Sequence, residues 1–405
     1  LRQKGYQKAM ENNTFKIVTL GCKVNLYESQ GIEEYLLKNG FKESKDPEYI
    51  IVNTCAVTKT AEKKCLTKVR SLSEHFNATK ICVVGCSSSI RPEEFLNIPG
   101  VNVVSGNNGK LFAVKELLNG KTGLILSKKN TRNEKFEEDI KISNFGKECR
   151  AFVKIQDGCD NFCSYCIIPR TRGNSRSRSH EEIIEEVKRL YKSDYRELVI
   201  TGIDMGSYED PNDDEYKLDD LIEDIIINTP DGYRIRISSL ETSQMTQKLL
   251  DLFINHSDKL VSHVHIPLQS GSSEIVKAMH RKYDLEEFVE KVNYLRKHLP
   301  YLALSTDVIV GFPGETEDLF METYKFIEKL KFMRLHVFPY SPRPGTLAAS
   351  LKDQIPGNIK KERVHRLIDL GNKLQEEYIK FCNGQTFVFL AEKVIKKDGK
   401  LIHQG

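Results

Sequence analysis

The sequence predicts an α/β fold with two parallel-sheet units in tandem, and three observations carry that expectation. Short apolar runs rich in Ile and Val recur along the chain, each followed by a stretch of helical spacing. Such alternation implies strands joined by helical crossovers. A charged stretch poor in large apolar residues, 127–147, divides an early series of these units from a later series of six. The length of 405 residues also exceeds what one hydrophobic core ordinarily organises.

In the early series, FKIVTL (15–20), YIIV (49–52) and ICVV (81–84) read as buried strands. They run into Gly21-Cys22, Asn53-Thr54-Cys55 and Gly85-Cys86. Helices are expected over 28–39 and 59–75, the second with Ala61, Cys65, Leu66 and Val69 at helical spacing. Ligands of parallel sheets gather at the carboxyl ends of strands, where these three cysteines fall. The later series predicts strands at 151–157, 196–202, 233–240, 261–267, 301–311 and 333–340. Helices would lie near 180–192, 218–228, 243–255, 284–298 and 317–330. That pattern suggests a barrel or partial barrel with its chemistry at the carboxyl ends of the strands. An amphipathic segment over 358–382 closes it, and TFVFLAEKV, Lys397-Asp398-Gly399 and KLI read as a hairpin too short for a separate domain. The expected division is 10–126, a linker over 127–149, a second domain over 150–382 and a partial third over 383–405.

The 61 basic and 57 acidic residues nearly balance, which excludes a chain that holds nucleic acid by bulk charge and leaves room for a local basic patch. No apolar stretch approaches the roughly 18–20 residues that span a bilayer. Residues 1–13 are polar and nothing in them marks export, so no membrane partner and a cytoplasmic location with reduced thiols are expected. Ten cysteines then need an account. Cys159, Cys163 and Cys166 form a C-x₃-C-x₂-C triplet just after a predicted strand. Soft thiolates at this spacing suit one iron–sulfur cluster, and three ligands on four irons leave one iron open for reaction. Zinc would take a fourth ligand, and Cys149 lies ten residues upstream across a strand. A zinc site with a distant ligand, or three unrelated thiols, is the competing reading. Cys65, Cys82, Cys149 and Cys382 read as packing thiols.

The triplet resembles that of the radical S-adenosylmethionine (SAM) superfamily. The resemblance implies that the open iron chelates SAM, that an electron from the cluster cleaves it to a 5′-deoxyadenosyl radical, and that Tyr165 packs near the adenine. Further segments resemble the methylthiotransferases: TLGCKVNLYES, VNTCAV and VVGC early, then RGNSRSRS, ITGIDMGSY, RISSLE, HIPLQSGSSEIVKAMHRKY, TDVIVGFPGETEDLF and FPYSPRPGTLAAS. They run in the family's order from about residue 15 to 390. The resemblance implies an N-terminal methylthiotransferase domain, a central partial (β/α)₆ radical-SAM barrel and the start of a C-terminal TRAM β-barrel, expected to be incomplete. It implies a second [4Fe–4S] cluster, also with an open iron, on Cys22, Cys55 and Cys86, which spacing alone would leave as core thiols. SAM would serve as methyl donor and radical source. Candidate SAM-binding residues are Gly202 and Asp204 after the second barrel strand, Ser238, Ser239 and Glu241 after the third, Gln269 after the fourth and Asp307 in the fifth. A structural hydrogen bond or a strand-ending turn is the alternative at each.

Within the family, Gly-Cys22-Lys23-Val24-Asn25 resembles the branch acting on N6-threonylcarbamoyladenosine 37 of tRNA, where the isopentenyladenosine branch has Gln-Met after this cysteine. Lys23 would face the threonyl carboxylate or simply be solvated. Arg343 favours RNA over the branch that modifies a ribosomal protein. Arg170, Arg172, Arg176 and Arg178 form a basic cluster with no acid among them, read as a phosphate clamp or a solvated loop. The expected partners are a tRNA anticodon stem-loop and an electron donor such as flavodoxin or ferredoxin, with the chain monomeric. The rivals are the same chemistry on isopentenyladenosine, and a non-catalytic iron–sulfur RNA-binding protein or redox sensor.

Overall fold

In the computed structural model, which describes residues 13–77, 79–125, 140, 142–146, 149–397 and 400–404, the chain divides into two compact units. One takes the described residues up to 125 with Ile140, Ile142 and Arg170–Arg172; the other takes the described residues of Ser143–Pro169 and from Gly173 onward. The expected linker and the stretch ahead of Met10 lie largely or wholly outside the described residues.

The first unit is a parallel sheet of β1 (Thr14–Thr19), β2 (Lys42–Glu43), β3 (Tyr49–Thr54), β4 (Lys80–Gly85), β5 (Val101–Val104) and β6 (Gly123–Leu124), in the order β2-β1-β3-β4-β5-β6. Alternate strand residues face two cores. Phe15, Ile51, Cys82 and Val84 pack with Ile32, Leu36 and Val114 on one side, and Ile50, Val52, Ile81 and Val83 with Cys65, Val69 and Leu72 on the other. Burial on both faces is why these strands read as unbroken apolar runs. The chain order reverses direction between β1 and β3, the switch point where such sheets open a ligand crevice. The helix expected over 28–39 instead spans Lys23–Lys38. Its first turns bury Asn25, Glu28 and Ser29, polar residues that break the apolar periodicity on which the expectation rested.

The second unit is the expected partial (β/α)₆ barrel. Its strands are Arg150–Lys154, Glu197–Thr201, Arg234–Ile237, His263–His265, Ala303–Val310 and Arg334–Pro339. The first three form one parallel sheet and the last three another, and a parallel bridge between Ser239 and His265 carries the third strand to the fourth. Helices His180–Lys192, Gln247–Asn255, Leu285–His298 and Glu317–Leu330 each start on a side-chain cap, from Ser179, Thr246, Asp284 and Thr316. The first predicted strand breaks after Lys154, and Gln156–Asp157 pairs antiparallel with Arg176–Ser177. The predicted tail strand over 386–394 is also corrected: regular pairing begins only at Lys393, with Lys393–Lys397 antiparallel to Lys400–Gln404. No helix among the described residues is long and apolar enough to cross a membrane.

Gly85, the residue before Cys86, has φ +109°, and a Cβ there would lie 2.5 Å from Thr54 O. Gly85→Ala is therefore expected to cost roughly 1–3 kcal/mol in urea unfolding; an unchanged midpoint would contradict this reading of the strand end.

Candidate functional site

In the first unit, Cys22, Cys55 and Cys86 stand at the carboxyl ends of β1, β3 and β4, which are neighbours in the sheet. Gly21, at φ +115°, lets β1 end against Cys55, since a Cβ on it would sit 2.7 Å from Cys55 Cβ and 3.0 Å from its Sγ. Asn25 Nδ2 donates to Leu20 O at 2.7 Å and Thr54 O at 3.0 Å, tying together the backbone just before two of the cysteines. Thr54 Oγ1 donates to Val84 O at 2.7 Å and joins the third strand end. Cys86 Sγ accepts a hydrogen bond from Asn107 Nδ2 at 3.3 Å. Cys22 occupies the N-cap position of the Lys23–Lys38 helix, and its side chain makes no capping hydrogen bond.

Behind these loops lies a buried ionic network. Glu28 accepts from Arg172 Nη1 at 3.0 Å and pairs with Lys110. Arg172 Nη2 donates to Asn25 Oδ1 at 2.7 Å, and Lys110 Nζ to Asn53 Oδ1 at 3.0 Å. The Glu28, Lys110 and Arg172 side chains have no solvent exposure. Burial pushes the Cys55 thiol up to about 11, and the nearby Cys86, Cys22 and Cys65 add to the rise. Cys65 is more than packing: its Sγ accepts from Cys55 N at 3.3 Å and donates to Cys55 O at 3.4 Å.

In the second unit, the triplet loop turns at Gly158, where a Cβ would strike Asn174 O at 1.8 Å. Cys159 N donates to Gly173 O, and Ser164 fastens the loop to Met279 O and Ala278 O. Arg281 Nη1 donates to Cys163 Sγ at 3.4 Å and Tyr165 Oη at 3.5 Å, while Nη2 faces Glu241 Oε1 at 3.4 Å. Asn161 Nδ2 donates to Asp204 Oδ2 at 2.9 Å and Glu241 Oε2 at 3.5 Å. Asp204 Oδ2 lies 3.5 Å from Cys159 Sγ. Gln156 Oε1 accepts from Ile203 N and Asp204 N, fixing the turn that carries Gly202. A Cβ on Gly202 would meet Met205 Cγ at 2.8 Å. Burial raises the Cys159 and Cys166 thiols, the latter to about 11.

The other expected residues are distributed as follows. Tyr165 packs against Ile275, Met279, Phe312 and Tyr340. Ser238 is buried and Ser239 exposed. Gln269 is buried at φ +60°, its backbone pinned to Asp307 and Ile309. Asp307 stands between His265 at 3.4 Å and His336 at 3.3 Å, two imidazoles the sequence reading missed. Lys23 and Arg170 are exposed. The four-arginine phosphate clamp is not borne out. Arg172 belongs to the buried network, and Arg178 is buried on Lys154 O and Glu186. Arg176 pairs with Asp157, and Arg343 is 2% exposed. Asn107, Gln156 and Arg281 were also missed, because their partners lie far away in sequence and no local pattern marks them.

Known proteins place this arrangement. The Radical SAM superfamily model matches residues 153–327, and the model of the uncharacterized protein family UPF0004 matches 14–106. The threonylcarbamoyladenosine tRNA methylthiotransferase of Bacillus subtilis (strain 168) is 41% identical over 385 residues, covering 94% of this chain and 85% of that protein. The chain belongs to the radical-SAM methylthiotransferases. A tRNA-2-methylthio-N(6)-dimethylallyladenosine synthase of Staphylococcus haemolyticus (strain JCSC1435) is 34% identical over 408 residues, covering 97% of this chain and 78% of that protein. Among solved structures, the radical SAM methyltransferase TsrM from Kitasatospora setae, with cobalamin and a [4Fe–4S] cluster bound, has a TM-score of 0.60 at 12% identity, covering 84% of this chain and 77% of that one. That likeness shows the fold.

A radical-SAM methylthiotransferase works with SAM and two [4Fe–4S] clusters, and the residues present fit them. Each site offers three soft thiol donors. Ser87 Oγ, next in sequence to Cys86, Thr242 Oγ1, next to Glu241, and Arg281 Nε are buried polar atoms without a hydrogen-bond partner among the described residues. Replacing Cys22, Cys55 and Cys86 together with Ala is expected to remove about four irons from reconstituted protein by elemental analysis. Unchanged iron content would show that these thiols hold none.

Proposed function

We propose that this chain is a tRNA methylthiotransferase that converts N6-threonylcarbamoyladenosine 37 to its 2-methylthio form. The observation that carries the reading is 41% identity, over nearly the whole length, to a relative named for that substrate, against 34% to one named for the dimethylallyl substrate. Gly-Cys22-Lys23-Val24-Asn25 supports the same branch.

Replacing the C2 hydrogen of an adenine by S–CH₃ offers no acidic proton to a base, so reaction depends on placing unstable species within contact and away from water. When bound, the clusters and SAM supply the radical, the sulfur and the methyl group. Cys159, Cys163 and Cys166 hold one cluster, and Cys22, Cys55 and Cys86 the other. Asp204 and Glu241, with Asn161 between them, offer carboxylates suited to the ammonium of SAM. Gln156 keeps the Gly202 turn close-packed, and Tyr165 provides an apolar wall for adenine. Ser238, Ser239, Gln269 and Asp307 are the further polar candidates along the strand ends. Asp307 owes its position to His265 and His336.

Lys23, exposed beside Cys22, suits the threonyl carboxylate. Among the predicted clamp residues only Arg170 is exposed, so RNA binding draws on fewer of these arginines than their spacing suggests. The anticodon stem-loop presents an unstacked nucleotide, as loop recognition requires. A flavodoxin or ferredoxin supplies electrons, and the chain acts as a monomer in the cytoplasm.

Mass spectrometry of digested tRNA from a deletion strain tests the assignment. The methylthio-threonylcarbamoyl nucleoside is expected to vanish, with the isopentenyl products intact, and to return with the wild-type gene but not with Cys163→Ala. Loss of the isopentenyl products instead would refute the branch.

A further inference from the structure

The radical-SAM triplet holds a cation that no expected role uses. Arg281 is 8% exposed at its side chain, and its guanidinium donates to Cys163 Sγ at 3.4 Å and faces Glu241 at 3.4 Å. Its Nε is buried without an acceptor among the described residues. The backbone holds it rigidly. Helix Ser273–Ala278 ends through His280 at φ +57°, and Arg281 N returns to Val276 O at 3.2 Å. Ser164 of the triplet loop accepts no freedom there either, since its N and Oγ both donate to the end of that helix.

We propose that Arg281 sets the ease with which the cluster on Cys159, Cys163 and Cys166 takes up its electron, and that Glu241 tempers it. The inference rests on those three thiols being cluster ligands. Hydrogen bonds to cluster sulfurs and nearby positive charge both stabilise the reduced form, and a water-poor site strengthens both. One electron enters from an external reductant, the cluster gains one negative charge, and Arg281 keeps its proton throughout. No bond forms or breaks at the guanidinium. Its preference for the reduced form is electrostatic, and Glu241 opposes it by neutralising part of the charge. The two residues therefore act with opposite signs, which a purely structural pair would not.

An EPR-monitored dithionite titration of full-length reconstituted protein, without SAM, tests this. Cys22→Ala, Cys55→Ala and Cys86→Ala in the background leave one cluster to observe. Arg281→Gln is expected to make reduction at least tenfold harder, a fall of about 59 mV for a one-electron couple. Arg281→Lys, which keeps the charge, is expected to fall less, and Glu241→Gln to shift the midpoint upward. Should Arg281→Gln not fold, the opposed shifts of Arg281→Lys and Glu241→Gln decide. Midpoints that stay within error of the parent, or that move the same way in both variants, would overturn the role of Arg281. A parent protein that retains no iron by elemental analysis would instead overturn the ligand assignment beneath it.

Discussion

Glu28 has no access to water and lies between two cations, Lys110 and Arg172, and the first candidate site depends on that arrangement. A carboxylate alone in such a place would cost several kcal/mol, so the three charges stand or fall together. The consequence is geometric. Lys110 and Arg172 also grip Asn53 and Asn25, and Asn25 grips the backbone ahead of Cys22 and Cys55. The charge network thereby fixes the spacing of strand ends that carry soft donors. It also explains why Arg170–Arg172, just past the triplet in sequence, belong to the first compact unit.

The second candidate site solves a related problem with different parts. Its thiols lie on one tight loop, so spacing is local, and the surrounding charges adjust properties more than they set distance. Asn161 meets Asp204 and Glu241, and Arg281 reaches both Cys163 and Glu241. Anionic and cationic groups around a triplet are what a zwitterionic cofactor and an electron-accepting cluster both call for.

Much of this was legible in the sequence. Six βα units, three cysteines at strand ends and one triplet follow from apolar runs, helical spacing and soft-donor chemistry, all of them local signals. What escaped depends on distant partners. Arg172 and Arg178 look like surface charges in a run free of acids, yet Glu28 is 144 positions from Arg172 and buries it. The helix start at Lys23 was hidden because its inward face carries Asn25 and Glu28 where apolar residues would mark a core. Cys65 has the spacing of a packing residue, and only three dimensions bring its thiol onto the Cys55 backbone. The tail strand was misplaced because Phe387, Val388 and Phe389 carry strand propensity without a paired partner.

The most direct test of the account is Glu28→Gln in the full chain, with unfolding and iron content measured on the same preparation. Removing the carboxylate takes a shared counter-charge from two buried cations, and the expected cost is about 3–5 kcal/mol. Iron should fall from about eight per chain toward about four as the strand-end thiols lose their spacing. A variant with wild-type unfolding and its full iron content would contradict the claim that this network holds the site together.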